Sequence, residues 1–443
     1  MFANTRLALD GTDSITVGAS VEAPTSANVS DAAVPAANIY PVSFNGADKV
    51  VIKPGGFALS DPIPLAATAG QWIYTRTNVS ASAGQKWPIG LTASQAVPSN
   101  EGNAVGQDSR GAVVSNVHSG GGAGYSPVAI VGVPTGATAF LPTVGILGDS
   151  IDYGSGDGPN DLGWAVRLCV AEGLGYVQAA VPGDRANTFL TSPVTTRGRY
   201  ALLAGCTHVL EGFGVNDSNA GRTTAQIQAD RLRIWTDLHR RGIKVIGRTI
   251  TPRTTSTDGW TTTAGQAVIA TSGQDVVRRD FNAWLRDGAP IDATTKAVTS
   301  VGDATNVLRA GDDEHPLDAV WDAAAAVETS PTSGLWKPPE RRLTDASWAS
   351  GSAHLLSPSG AFTSADIGKS ITAIGGGPAD ALYQATITSI TSPTDAVVGG
   401  AGFGTAVASG GVVGIGTYTT DGIHPAATGH IAMRDADEYV FAV

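Results

Sequence analysis

Thr143-Val144-Gly145-Ile146-Leu147-Gly148-Asp149-Ser150 is the stretch that decides the fold. Its first five residues carry no charge and include three β-branched side chains, which suits a buried strand. The strand runs straight into a Gly-Asp-Ser turn. Past the turn, Leu162, Ala165, Val166, Cys169 and Val170 recur on one face of a helix that Asp161 could cap and Gly173 would end. Strand and helix then alternate. Residues 176–181, 208–210 and 243–250 read as strands, and 225–241 and 274–287 as helices that stop at Gly242 and Gly288. This alternation predicts an α/β domain in three layers, a parallel sheet with helices on both faces.

The texture changes on either side. Residues 1–140 hold short apolar runs, such as Val50-Val51-Ile52 and Gln71-Trp72-Ile73-Tyr74, split by Gly, Pro, Ser and Asn. They read as a β-sandwich domain, with Ser119–Gly124 as a surface loop. Residues 341–418 return to β texture, with alternation at 371–374 and 385–390 and a glycine turn at 375–377. This last stretch reads as a small β module inserted into the α/β domain, which then spans 141–340 and 419–443.

Composition limits the function. Lys plus Arg is 28 and Asp plus Glu is 39, a net charge of −11, which offers no electrostatic footprint for nucleic acid or an anionic membrane. Gly is 56 of 443 residues, nearly twice the usual share, and charged residues are 15%, which fits turn-rich β structure rather than disorder. Cys169 and Cys206 are too few for a disulfide scaffold or a cysteine-rich zinc site, and the seven His are scattered, so no metal or cofactor is expected. The first ten residues lack a basic region followed by an apolar run, and no stretch reaches 18 apolar residues. The expectation is a soluble protein with neither a cleaved leader nor a membrane span.

Three short motifs carry chemistry, each after a strand or before the last helix. Ser150 ends a strand, where α/β sheets bind ligands. Gly212-Phe213-Gly214-Val215-Asn216-Asp217 follows the third strand. Asp421-Gly422-Ile423-His424-Pro425 precedes the last helix, with Pro425 suited to a first helical turn. Asp and His three residues apart on a turn can project together, so that the carboxylate orients the imidazole.

Taken in order, Gly148-Asp149-Ser150, Gly-x-Asn-Asp at 214–217 and Asp-x-x-His at 421–424 resemble the motif set of the SGNH (GDSL-type) hydrolase family. The family's glycine after the second strand is matched by Gly183, while Gln178 and Ala180 stand where it often has Asn and Gly. The resemblance covers 141–340 and 419–443 and implies a serine esterase. In that reading Ser150 is the nucleophile, His424 the base that takes its proton, and Asp421 the group that holds the imidazole tautomer. The resemblance also assigns the oxyanion donors: the Ser150 N–H, the Gly183 N–H and the Asn216 side-chain amide. Asp149 and Asp217 read as turn-holding. Arg253, just past the fourth strand, lies on the rim.

The flanking modules carry weaker resemblances. Residues 362–390 look like a small β module of bacteriophage tail-fibre and tail-spike proteins, and residues 51–62 resemble the jelly-roll, carbohydrate-binding-type domain that precedes some SGNH esterases. Together they point to removal of acyl groups, most simply acetyl, from a polysaccharide. A tail-like chain would be a homotrimer and part of a virion; otherwise the location is cytoplasmic, with extracellular action after lysis. The alternatives are a general short-chain carboxylesterase or lipase, and a non-catalytic receptor-binding tail protein. The inserted module should stand beside the catalytic turn, with Trp348 or Tyr383 available to stack on a sugar.

Overall fold

The computed structural model describes residues 1–3, 12–23, 36–67, 73–86, 141–157, 162–269, 273–378 and 381–442, with short pieces between 102 and 132. The chain divides into two compact units, Met1–Phe140 with Ser192–Leu202, and Leu141–Thr191 with Leu203–Val443. The segment Ser192–Leu202 thus groups with the first unit, although it lies inside the stretch read as α/β.

In the first unit the strand Ile15–Glu22 is central. It pairs antiparallel with Lys49–Ile52 and Ile39–Val42 along one edge and with Tyr74–Ser80 along the other. Ile15, Val17, Ala19 and Val21 alternate into one core with Val42, Phe44 and Ile52, as the two-residue strand period requires. Among the described residues this unit has one four-stranded sheet and two short two-stranded ribbons. Trp72, Asp161 and Gly120–Gly124, which the sequence reading used, lie outside the described residues.

The second unit holds a parallel sheet of five strands: β1 (Thr143–Leu147), β2 (Gly175–Gln178), β3 (His208–Glu211), β4 (Lys244–Arg248) and β5 (Ala319–Trp321). Their spatial order is β2-β1-β3-β4-β5, every neighbouring pair parallel. The short β5 is absent from the sequence reading. Because parallel crossovers are right-handed, a chain that steps outward from β1 to β2 and then returns to β3 places helices on both faces. Gly163–Ala171 packs with the terminal helix Ala427–Arg434, and Thr224–His239 packs with Ala186–Thr191 and Gln274–Arg286. In the helix Gly163–Ala171, Trp164 and Leu168 take the inner face, and Val170, expected there, is exposed.

Residues Arg341–Ile415 form a closed six-stranded antiparallel barrel within this unit. Leu343, Trp348, Leu355, Phe362, Ile371, Ile387, Phe403, Val413 and Ile415 fill it. Trp348 is stacked on Phe403 and donates its indole N–H to the Thr405 carbonyl. Tyr383 packs on the same phenyl ring and donates to the Gly399 carbonyl. Trp348 is therefore not free to receive a sugar, because closing the barrel turns it inward, while Tyr383 is half-buried against the same core.

Candidate active site

A sheet of order 2-1-3-4-5 has its switch point between β1 and β3, where successive crossovers leave in opposite directions and open a crevice at the strand C-termini. Ser150 follows β1 and Asn216 follows β3, so both stand at that crevice.

Ser150 opens a one-turn helix, Ser150–Tyr153. Asp149 caps it by accepting the Ile151 N–H at 2.9 Å, and Asp152 returns the favour by accepting the Asp149 N–H. The Ser150 N–H therefore leads the helix with no carbonyl one turn behind it.

His424 arrives from the other end of the chain. Its Nε2 is 2.9 Å from Ser150 Oγ and its Nδ1 is 2.6 Å from Asp421 Oδ2. The other oxygen of Asp421 accepts the backbone N–H groups of Ile423 and His424, both at 2.8 Å. Burial pushes the Asp421 carboxyl up, but the His424 bond and charge with these two amides outweigh it and hold it below the ordinary value. The turn itself is pinned. Thr419 donates its hydroxyl to the His424 carbonyl at 2.8 Å and accepts the Gly422 N–H at 2.9 Å, while Thr254 N and Trp336 Nε1 both donate to the Gly422 carbonyl.

The structure also brings Asn216 and the loop after β2 together. Asn216 Nδ2 donates to the Asp184 carbonyl at 3.1 Å, which leaves the second amide N–H for another acceptor. Gly183 next to it has φ +81°, a conformation glycine adopts without strain, and a side chain there would meet open space. Asp217 accepts the N–H groups of Ala186 and Asn187 at 3.1 and 3.4 Å and so holds this loop to the helix after β3. Gln178 accepts the Ala180 N–H and donates to the Asp152 carbonyl. Arg253 donates to the side chains of Asn219 and Gln274, which occupy one arm of its guanidinium.

Other titratable groups have structural roles. His430 is fully buried: its Nδ1 accepts the Trp164 N–H and its Nε2 donates to the Ser155 carbonyl, and burial lowers its pKa to about 4. Burial pushes the Cys169 and Cys206 thiols up to about 12 and about 11, so both are inert small apolar groups. No group of three or more His, Cys, Asp and Glu among the described residues could hold a metal ion. Among the same residues no helix is long and apolar enough to cross a membrane.

The sequence reading missed what stands behind the nucleophile. Asp152, Arg248, Glu211 and Arg231 are all buried beneath the crevice, and only three-dimensional proximity relates them.

No family model and no curated protein matches the chain. Among solved structures it is similar to a member of the lipolytic protein G-D-S-L family from Veillonella parvula (18% identity, 42% of this chain and 79% of that one, TM-score 0.28). It is also similar to a GDSL-like lipase from Bacteroides thetaiotaomicron (14% identity, 39% and 84%, TM-score 0.24). A third is a psychrotrophic esterase from Pseudoalteromonas (22% identity, 25% and 60%, TM-score 0.21). At these TM-scores the likenesses carry no argument, and the chemistry rests on the geometry of the crevice.

Proposed function

We propose that this chain is a serine esterase of the SGNH type, with its catalytic domain in 141–340 and 419–443. The observation that carries the reading is the chain of contacts Ser150 Oγ, His424 Nε2, His424 Nδ1, Asp421 Oδ2, at 2.9 and 2.6 Å, on the C-terminal edge of a parallel sheet.

As the Ser150 oxygen attacks the acyl carbon of an ester, its proton passes to His424 Nε2. The tetrahedral oxyanion is received by the Ser150 N–H, the Gly183 N–H and the free N–H of Asn216. The bond from acyl carbon to alkoxy oxygen then breaks, and His424 returns the proton to the leaving alcohol. A water repeats the sequence on the acyl-enzyme: its proton goes to His424, and Ser150 is regenerated as the acid departs. Asp421 keeps the proton of the neutral imidazole on Nδ1 and stabilises the imidazolium that forms in each half.

Within this reading the substrate is an acetylated polysaccharide. The support is the barrel beside the catalytic turn. Gln384 donates to the Thr420 carbonyl, and Ser370 Oγ accepts the Ala427 N–H at 3.1 Å, so the barrel touches the chain on both sides of His424. A wall at that position can contact the alcohol part of a long substrate.

Hydrolysis of p-nitrophenyl acetate and of longer aryl esters, with acetate release from acetylated polysaccharides, tests both levels. Turnover by wild type and none by Ser150→Ala supports the esterase. Hydrolysis of small esters only, with no acetate from any polysaccharide, removes the glycan part. Replacing 344–416 by a Gly/Ser linker should reduce polysaccharide turnover far more than aryl acetate turnover.

A further inference from the structure

One buried ion pair lies beneath all the elements of the crevice. Arg248 ends β4, and its Nε and Nη2 donate to Asp152 Oδ1 and Oδ2 at 2.9 and 3.0 Å. The same Nη2 donates to the Gly212 carbonyl at 2.5 Å, and Nη1 donates to the Thr249 carbonyl at 2.9 Å. Asp152 also accepts Trp164 Nε1 at 3.0 Å and the Asp149 N–H at 3.4 Å, while its own carbonyl accepts Gln178 Nε2 at 3.2 Å. Both side chains are 1% exposed.

These contacts join the C-terminal ends of four neighbouring strands. Asp152 stands on the helical turn that Ser150 opens after β1; Gln178 ends β2; Gly212 follows β3; Arg248 ends β4. The pair also accounts for two glycines of the motifs. A Cβ on Gly148 would lie 2.1 Å from Asp152 Oδ2, and one on Gly212 would lie 2.3 Å from Asp152 Oδ1 and 2.6 Å from Arg248 Nε. The backbones after β1 and β3 are bare at these points because the ion pair fills the space between them.

The crevice needs this spacing. The Ser150 N–H comes from the turn after β1 and the Asn216 amide from the turn after β3, and donors to an oxyanion work only when fixed relative to each other. A second buried pair backs the first: Arg231 donates to Glu211 Oε2, to the carbonyls of Phe213 and Glu211, and to the Arg248 carbonyl. Burial opposes the Arg248 charge, yet Asp152 outweighs it and holds the guanidinium above its ordinary pKa, so Arg248 stays charged.

From this arrangement, and resting on the esterase reading above, we infer that Arg248, acting through Asp152 and the Gly212 carbonyl, is the positioning residue that sets the distance between the nucleophile's turn and the Asn216 oxyanion donor. Arg248 touches no reacting atom. Its effect belongs on the chemical step and not on substrate binding.

The test uses the full chain and p-nitrophenyl acetate, with kcat, KM and thermal midpoint measured for each variant. Arg248→Met alone strands the Asp152 carboxylate without its counter-charge, so it is combined with Asp152→Asn. Arg248→Lys keeps the charge and loses the fork. Arg278→Met breaks a buried pair with Glu328, whose side chain otherwise meets Arg286 and the N–H groups of Thr332 and Gly334, and serves as the stability control. The double variant should fold, keep KM within about threefold, and lose about 10²-fold or more in kcat, the size of one lost oxyanion donor. Arg248→Lys should recover part of that loss, and Arg278→Met should melt lower with kcat unchanged.

A double variant with wild-type kcat, or one whose loss lies in KM, overturns the inference. So does an equal kcat loss in Arg278→Met. If the double variant does not fold, Arg248→Lys decides: a kcat at least about tenfold down at constant KM supports positioning, and wild-type kcat refutes it. A wild type that hydrolyses no ester, or an active Ser150→Ala, removes the esterase reading and this inference with it. A hydrolysing wild type beside an unaffected Arg248 variant removes this inference alone.

Discussion

Asp421 Oδ2 lies 2.6 Å from His424 Nδ1, across a turn whose two amides hold the carboxylate's other oxygen. The bond places the imidazole proton on Nδ1 and leaves Nε2 facing Ser150. Asp421→Asn keeps the size of the side chain and can offer an N–H where the carboxylate accepted one, which turns the tautomer the wrong way. kcat on an aryl acetate should fall by roughly 10³–10⁴-fold with the thermal midpoint nearly unchanged, by analogy with the same change in other triads. A loss below tenfold would show that Asp421 does not orient the base.

Ser150→Ala should remove turnover and leave the fold intact. Its hydroxyl has His424 Nε2 as partner, and the helix cap depends on Asp149 and Asp152 instead. Steady-state hydrolysis read beside the far-UV spectrum and the melting curve checks this. Measurable turnover above the uncatalysed rate would assign the nucleophile elsewhere.

Asn216→Ala should lower kcat by about 10²–10³-fold with little change in KM. The lost amide also released the Asp184 carbonyl, so Asn216→Asp is the second probe: it keeps the size but sets an acceptor against the oxyanion. A rise in KM at constant kcat in both variants would make Asn216 a ground-state contact.

Stability should depend on pH through two buried groups of opposite sign. His430 is neutral, and burial lowers its pKa to about 4 from 6.5. Its contribution is present above pH 6.5 and is lost as pH falls toward 4. Asp149 is raised to about 7, by burial and then by the Asp152 carboxylate, against the Arg248 charge. Its contribution is present below the ordinary carboxylate value near 4 and is lost as pH rises to 7. Asp149→Asn can still cap the helix. It should match wild type near pH 4 and exceed it at pH 7–8, as read by urea denaturation. His430→Gln should flatten the loss between pH 6.5 and 4. A wild-type advantage over Asp149→Asn at pH 8 would contradict the raised value.

Some of this was local in the chain and therefore legible. The periodicities of 143–147, 225–241 and 274–287 predicted a parallel sheet with covering helices, because apolar spacing follows directly from helix and strand geometry. The Asp421–His424 pair is three residues apart, and the motif residues Ser150 and Asn216 each follow a strand; such short-range patterns survive in one dimension.

The rest depended on distance along the chain. Ser150 and His424 are 274 positions apart, and only the sheet's switch point and the turn pinned by Thr419 bring them to 2.9 Å. Asp152 and Arg248 are 96 positions apart, and nothing in their neighbourhoods marks them as partners. Alternation in 341–418 marked strands there but could not say which stripe closes inward, so Trp348 read as available when Phe403 and the barrel wall already hold it. By itself the sequence determined the residue types, the local elements and the order of the motifs, since these follow from side-chain chemistry and backbone period. The tertiary structure alone decided which of those residues meet, because a contact between strand ends is set by sheet order and crossover handedness and leaves no mark at either residue.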